Sequence, residues 1–160
     1  MHTTQPLLAV LAGAFIALSS PIPLPSLDAQ TACSGGPSTG LWSLPTTFLG
    51  TGTARGRLVD SATHLTAYRF TAQLQDVATP CLSCIQGEVQ GSLDDGSGGS
   101  PEFLVRGRYL GALFAGSGRF DLRVFRPTGG PAIGFLEGNF DDPPGTRGPG
   151  EFSATWRICP

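Results

Sequence analysis

Acid–base or metal chemistry in this chain would depend on His64. The only other histidine lies at position 2. Counting chain reversals from one predicted strand to the next places Asp60, Asp94 and Asp95 at the same end of the fold as His64. An imidazole beside several carboxylates can bind a divalent metal or act as acid and base. Asp is also a favoured turn residue, and a single histidine near a rim is usually only solvated. We therefore expect neither a bound metal nor catalysis, and keep these four residues as the candidate ligands.

The segment Cys81-Leu82-Ser83-Cys84 has the Cys-x-x-Cys spacing of a thiol–disulfide redox motif. A redox role requires a helix N-terminus that activates the first thiol. Here the motif follows Thr79-Pro80 in a connection between strands, with no βαβ pattern nearby. The sequence favours a structural bridge over redox activity. It disfavours zinc, because no second Cys-x-x-Cys exists.

Two disulfides are expected from four cysteines, Cys33, Cys81, Cys84 and Cys159. An even number in an exported domain indicates a disulfide framework, here with three connectivities. Strand counting puts Cys81 and Cys84 at one end of the fold and Cys159 at the other. Because bridged Cα atoms lie within about 7 Å of each other, we predict the pairs Cys81–Cys84 and Cys33–Cys159.

The N-terminus has the pattern of a signal peptide, residues 1–29, with cleavage after Ala29. Its apolar run, Leu7–Leu18, is shorter than the roughly 20 residues of a membrane-spanning helix. We expect the mature chain to be periplasmic or secreted, with 30–47 as an extension or tether. In an alternative reading, Cys33 carries a lipid anchor, since Thr-Ala precedes it and Ser-Gly-Gly follows.

Charge is sparse and balanced, with ten basic residues, all arginine, against twelve acidic ones. No basic patch typical of nucleic-acid binding is present, and no later apolar run is long enough to cross a membrane. The absence of lysine beside ten arginines indicates a GC-rich, bacterial genome. We expect no nucleic-acid partner and no transmembrane segment after signal cleavage.

Period-two alternation of apolar and polar residues dominates the rest of the chain, and helical periodicity is almost absent. The clearest run is Glu102–Phe114, where Phe103, Val105 and Tyr109 share one face. Short Gly-, Pro- and Asp-rich connections predict an antiparallel up-and-down meander. We predict one all-β domain, 48–160, of seven strands, or eight if Gly40–Leu44 pairs at an edge. The sheet is expected to form a closed or nearly closed barrel, with a β-sandwich as alternative. The other predicted strands are Phe48–Val59, His64–Gln75, Ile85–Leu93, Gly118–Arg126, Ala132–Phe140 and Glu151–Ile158.

Glycines recur on the apolar faces of these strands, in the pattern Gly-x-apolar-x-Gly that begins at Gly87, Gly107 and Gly134. One interpretation is that glycine lets a neighbouring ring lie over the backbone of a tightly coiled sheet. The other is that glycine hollows out a cavity for a small apolar ligand. In that case the ligand-facing side chains would be Tyr109, Phe120, Phe140 and Trp156.

Gly40-Leu41-Trp42, just ahead of the first strong strand, resembles the Gly-x-Trp element of lipocalins and their avidin-like relatives. The glycine-containing hairpins are also similar to that calycin-like group. The resemblance implies an eight-stranded up-and-down barrel that binds small hydrophobic or cofactor ligands, with Trp42 closing its base. It identifies no ligand.

These observations predict that the chain is an exported, non-enzymatic β-barrel module in the cell envelope. We expect it to be structural or to bind a partner, and to hold no cofactor. The first alternative is a carrier of a small apolar ligand. The second is a thiol–disulfide oxidoreductase acting through Cys81 and Cys84. No nucleophile elbow, phosphate loop or metalloprotease helix occurs in the sequence.

Overall fold

The computed structural model describes residues 33–47, 49–141 and 149–160, and their regular secondary structure is entirely β-strand. The predicted signal peptide lies outside the described residues. Eight antiparallel strands each pair with the next, and β1 pairs with β8 to close the barrel. The all-β, closed-meander prediction is therefore confirmed. The strands are β1 Ser34–Ser43, β2 Thr51–Val59, β3 Thr66–Asp76, β4 Cys84–Asp94, β5 Phe103–Ala112, β6 Ser117–Phe125, β7 Gly134–Asp141 and β8 Pro149–Ile158.

The inside and outside of the barrel follow the alternation in the sequence. In β5, Phe103, Val105 and Tyr109 are buried, while Arg106 and Arg108 point to solvent. Successive side chains of a strand point to opposite faces, so a closed sheet turns this alternation into an apolar interior and a polar wall. In the described residues there is no helix of the length and apolarity that a membrane span requires.

The first strand is longer and more central than the sequence indicated. β1 pairs with β2 and, along its whole length, with β8. The interpretation of 30–47 as a tether is therefore wrong for Ser34–Ser43, which is a wall of the barrel. The signal was hidden because the inward positions Gly36, Ser38 and Gly40 carry no large apolar side chain, and only Trp42 does.

Both predicted disulfides are present. Cys33 and Cys159 are bridged across a sequence separation of 126 residues, with Cα atoms 4.2 Å apart. Cys81 and Cys84 form the second bridge. Because the Cys33 sulfur is bonded to Cys159, it is not available to a lipid, and the lipid-anchor alternative is wrong. Disulfide bonds are typical of oxidising, extracytoplasmic compartments.

The barrel has two ends, which we name by what they contain. The terminal rim holds Cys33, Cys159 and the loops 60–65, 95–102 and 126–133. The distal rim holds the described residues of the β1–β2, β3–β4 and β5–β6 connections, 44–47, 49–50, 77–83 and 113–116.

Candidate functional site

The barrel interior near the distal rim is filled by a stack of aromatic rings. The ring of Trp42 lies between those of Phe120 and Phe140, with centroids 4.7 and 5.0 Å away and nearly parallel planes. Tyr109 and Phe152 meet the same indole edge to face. Trp42 is fully buried at this end of β1.

Glycines give these rings the room they occupy. A Cβ at Gly118 would lie 2.3 Å from Cζ of Phe140, and one at Gly56 would lie 2.5 Å from Cζ of Phe152. Real Cβ atoms do not approach other heavy atoms so closely. The glycines therefore let rings lie directly over the backbone, as the first interpretation of their pattern requires.

The four side chains expected to face a ligand all lie inside the barrel and contact other side chains. Tyr109, Phe120 and Phe140 belong to the stack around Trp42. Trp156 lies nearer the terminal rim, where its ring meets Tyr68 at 5.7 Å. Its indole Nε1 donates a hydrogen bond of 3.1 Å to the Val59 carbonyl oxygen. Each of the four is at most 3% exposed, so these rings contribute to a packed core.

A buried polar pair lies at the edge of the ring stack. The Tyr109 hydroxyl donates a hydrogen bond to the Asp76 carboxylate, which is only 5% exposed. This pair was not expected from the sequence. The signal was the phase of β3, in which Asp76 continues the inward row of Phe70, Ala72 and Leu74. The nearby Trp42 Nε1 is also buried and has no hydrogen-bond partner among the described residues.

The four candidate metal ligands lie at the terminal rim, but the carboxylates of the three aspartates are engaged in turns. The Asp60 carboxylate accepts hydrogen bonds from the backbone N–H groups of Ala62 and Thr63. Asp94 and Asp95 accept from the backbone N–H groups two residues further on. Within residues 33–47, 49–141 and 149–160, no group of three or more His, Cys, Asp or Glu side chains could hold a metal ion. The His64 backbone N–H donates to the Asp60 carbonyl oxygen at 2.8 Å, and His64 has a φ of 58°.

Ionisation at this rim follows from the same hydrogen bonds. The backbone N–H of Thr63 lowers the pKa of Asp60 most strongly, and hydrogen bonds from Ser97 lower the pKa of Asp95. Burial raises the pKa of Tyr68, and the negative charges of Glu102 and Asp60 raise it further. The carboxylates thus stay ionised and the phenol stays protonated at neutral pH, so none of these three groups is poised to exchange a proton.

The Cys81–Cys84 bridge stabilises a loop of the distal rim. Cys81 lies in the loop 77–83 and Cys84 begins β4, with its backbone N–H 3.3 Å from the Cys81 carbonyl oxygen. This β-turn contains no helix N-terminus, which is the feature that would activate a redox thiol. Leu82, between the two cysteines, is 96% exposed.

Large apolar side chains are exposed mainly at the distal rim. Leu49, Val77, Leu82 and Phe114 lie in three of its loops and are 48, 41, 96 and 73% exposed. Leu41 and Leu110 extend this surface onto the outer wall of the barrel. At the terminal rim the corresponding exposed residue is Leu65. This asymmetry was not expected from the sequence, although counting the strands assigns these loops to one end.

Comparisons of the chain with protein-family models, with curated proteins and with solved structures return no match. Its function is therefore inferred from its own residues and their geometry.

Proposed function

We propose that this chain is exported and acts as a non-enzymatic β-barrel module, structural or partner-binding, in the cell envelope of a bacterium. That the barrel is not a carrier of a small ligand is proposed because its interior is filled by side chains. Rings of Trp42, Phe120 and Phe140 occupy the space that a ligand would need. The two disulfides and the leader-like residues 1–29 support export.

The absence of a mutually positioned acid, base and nucleophile among the described residues supports a non-catalytic role. His64 lies at the terminal rim, whereas the buried Asp76–Tyr109 pair lies toward the distal rim. A catalytic base must reach its partner within about 3 Å or through one water. Groups at opposite ends of a packed barrel do not meet this condition.

The first test is native mass spectrometry of the protein purified from its own envelope fraction, before and after mild denaturation. The expected mass is that of a chain beginning near Gln30, lowered by the four hydrogens that two disulfides remove. A chain that retains residues 1–29 would contradict export. A non-protein mass that leaves on denaturation would contradict the packed interior and favour the apolar-ligand carrier.

The second test addresses catalysis. The folded protein is expected to show no turnover on a panel of hydrolase and thiol–disulfide substrates, including insulin reduction. Activity that disappears in His64→Ala or Cys81→Ser, with the unfolding midpoint unchanged, would contradict the non-enzymatic proposal. The Cys81→Ser result separates the oxidoreductase alternative from a hydrolase.

A further inference from the structure

An open groove of about 620 Å³ crosses the outer wall of the barrel over strands β1, β2 and β3. The charged residues that line it are all arginines, and we call it the arginine groove: Arg55, Arg57 and Arg69. Two larger grooves of the outer wall are lined by arginines together with acids, which are Asp141 and Glu151 in one and Glu88, Asp121 and Glu137 in the other. The lining of the arginine groove is therefore purely cationic, unlike that of either larger groove.

The register of the sheet brings the three arginines together. Arg57 of β2 lies directly opposite Arg69 of β3, and Arg55 shares the outward face of β2 with Arg57. Cβ atoms of directly opposite residues are about 5 Å apart, and residues two positions apart on one strand are separated by roughly 7 Å. Like charges placed directly opposite each other destabilise a sheet. An anion bound between Arg57 and Arg69 would remove that cost.

Within the part of the chain that the structure describes, no ion pair neutralises these arginines. Both ion pairs found there involve Arg123 of β6. Asp94 of β4 lies opposite Arg69, but its carboxylate accepts a hydrogen bond from the Gly96 backbone N–H. The chain as a whole has a net charge of −2, so its overall charge does not attract anions. Attraction for an anion is therefore local to the groove.

The groove favours a compact phosphate ester over a carboxylate or a longer polyanion. A guanidinium forms paired hydrogen bonds with phosphate oxygens. A tetrahedral phosphate dianion can accept from several such groups, whereas a planar carboxylate offers only two oxygens. Acids lie on both sides of the groove, because Asp94 is opposite Arg69 and Glu151 is opposite Leu41 of β1. With strands about 4.8 Å apart, a polyanion extended across the strands would meet one of these carboxylates and be repelled.

We propose that the arginine groove binds a compact phosphomonoester, with the guanidinium groups of Arg55, Arg57 and Arg69 as the phosphate ligands. Two sources share this chemistry, a soluble phosphate ester and a phosphomonoester headgroup of a lipid. The inference deepens the partner-binding part of the proposed function and rests on it only in that export brings the groove to the cell envelope. Binding by the purified chain tests the groove, whereas the intact mass tests export, so the two can fail separately.

The experiment titrates the purified protein, with its disulfides intact, with glycerol phosphate in a calorimeter. Glycerate, which carries a carboxylate on a similar three-carbon frame, is the matched ligand and should bind about tenfold more weakly, since it accepts fewer charge-assisted hydrogen bonds. Co-flotation with vesicles of phosphatidylcholine and phosphatidic acid, against phosphatidylcholine alone, presents the same phosphomonoester as a lipid headgroup. Binding of either form supports the proposal, and the form that binds more tightly identifies the source.

Two double variants separate the groove from general charge. Arg57→Gln/Arg69→Gln should weaken binding about a hundredfold, since each lost charge-assisted contact contributes about tenfold. It should still fold, because it removes two directly opposed like charges. Arg108→Gln/Arg119→Gln changes the net charge equally but replaces arginines of a groove that also contains acids, and it should bind as the wild type does. Glycerol phosphate should raise the Tm of the wild type and of this control, but not of the groove variant.

Four results would overturn the proposal. The first is that the wild type binds neither glycerol phosphate nor the vesicles with phosphatidic acid. The second is an equal loss of binding, or no loss, in the two double variants. The third is equal affinity for glycerol phosphate and glycerate, which would show unselective attraction of anions. The fourth is tighter binding of a single-stranded oligonucleotide than of glycerol phosphate, which would show that the groove selects a phosphodiester polymer.

Discussion

The contact between Gly118 and Phe140 offers the sharpest test of the packed interior, through the substitution Gly118→Ala. The added methyl group would lie 2.3 Å from Cζ of Phe140 and 2.5 Å from the Leu110 carbonyl oxygen. The Phe140 ring cannot simply turn away, because it is stacked 5.0 Å from Trp42 with an interplanar angle of 6°. Relief therefore requires movement of the ring stack or of the β5–β6 backbone.

Overpacking of this kind costs about 1–3 kcal/mol, and a clash with both a ring and a backbone carbonyl favours the upper half of that range. Replacing glycine in a strand returns at most about 0.5–1 kcal/mol through the entropy of the unfolded chain. We expect a net loss of about 2 kcal/mol in the free energy of unfolding. For a domain of this size that corresponds to a fall of about 8 °C in Tm.

The assay is urea denaturation followed by tryptophan fluorescence, with both disulfides intact. Gly99→Ala is the control, because its Cβ would meet only Ser97 Oγ at 3.7 Å, and it should change the free energy of unfolding by less than about 0.5 kcal/mol. In Gly118→Ala/Phe140→Leu the two costs should not add, since the smaller side chain vacates part of the space. If Gly118→Ala unfolds at the same urea concentration as the wild type, the ring has empty space to move into, and the interior is a cavity.

Three further predictions follow from the buried pair, the disulfides and the terminal-rim carboxylates. Tyr109→Phe removes the hydroxyl that donates to buried Asp76 and should lower the free energy of unfolding by about 1–3 kcal/mol; a change below 0.5 kcal/mol, again by urea denaturation, would contradict the pair's structural role. Removing the Cys33–Cys159 bridge as Cys33→Ser/Cys159→Ser should cost up to about 4–5 kcal/mol, against about 2 kcal/mol for Cys81→Ser/Cys84→Ser, because the first closes a far longer loop; equal midpoints for the two variants would refute this order. Folding lowers the pKa of Asp60 and Asp95 below the ordinary value of 3.8. The two carboxylates therefore stabilise the fold at any pH above 3.8, and this contribution is lost as the pH falls through their lower pKa values in the folded chain. Thermal unfolding between pH 5 and 2 should therefore show a smaller decline for Asp60→Ala than for the wild type, and parallel curves would contradict the prediction.

Most of the fold could be read from the sequence because a sheet with one buried face requires strict alternation. The strand β5 is the clearest case, since Phe103, Val105 and Tyr109 keep their phase without a slip. The disulfide pairing followed from the same count of reversals, because cysteines at opposite rims cannot meet. The full length of β1 was not predicted, since its inward positions are mostly glycine and serine. An inward glycine carries no hydropathy signal, although it is required where the Phe152 ring crosses Gly40 and Gly56.

The candidate site was less accessible to sequence reasoning. Asp60, Asp94 and Asp95 were placed at the correct rim, but the sequence could not show that each carboxylate turns back onto its own backbone. Asp76 and Tyr109 are 33 residues apart and lie on strands that are not neighbours. Their contact arises because both side chains point into a narrow barrel across the glycine of the strand between them, Gly87.

The sequence by itself determined the all-β architecture, the antiparallel order of the strands and which cysteines pair, because these follow from local alternation, short turns and the parity of chain reversals. Only the tertiary structure decided whether the inward glycines hollow the barrel or make room for rings, because that depends on where Phe140 and Phe152 point after closure. The grouping of apolar side chains at the distal rim also depends on the tertiary structure. Leu49, Leu82 and Phe114 are isolated residues in the chain, and only the closed barrel gathers them at one end.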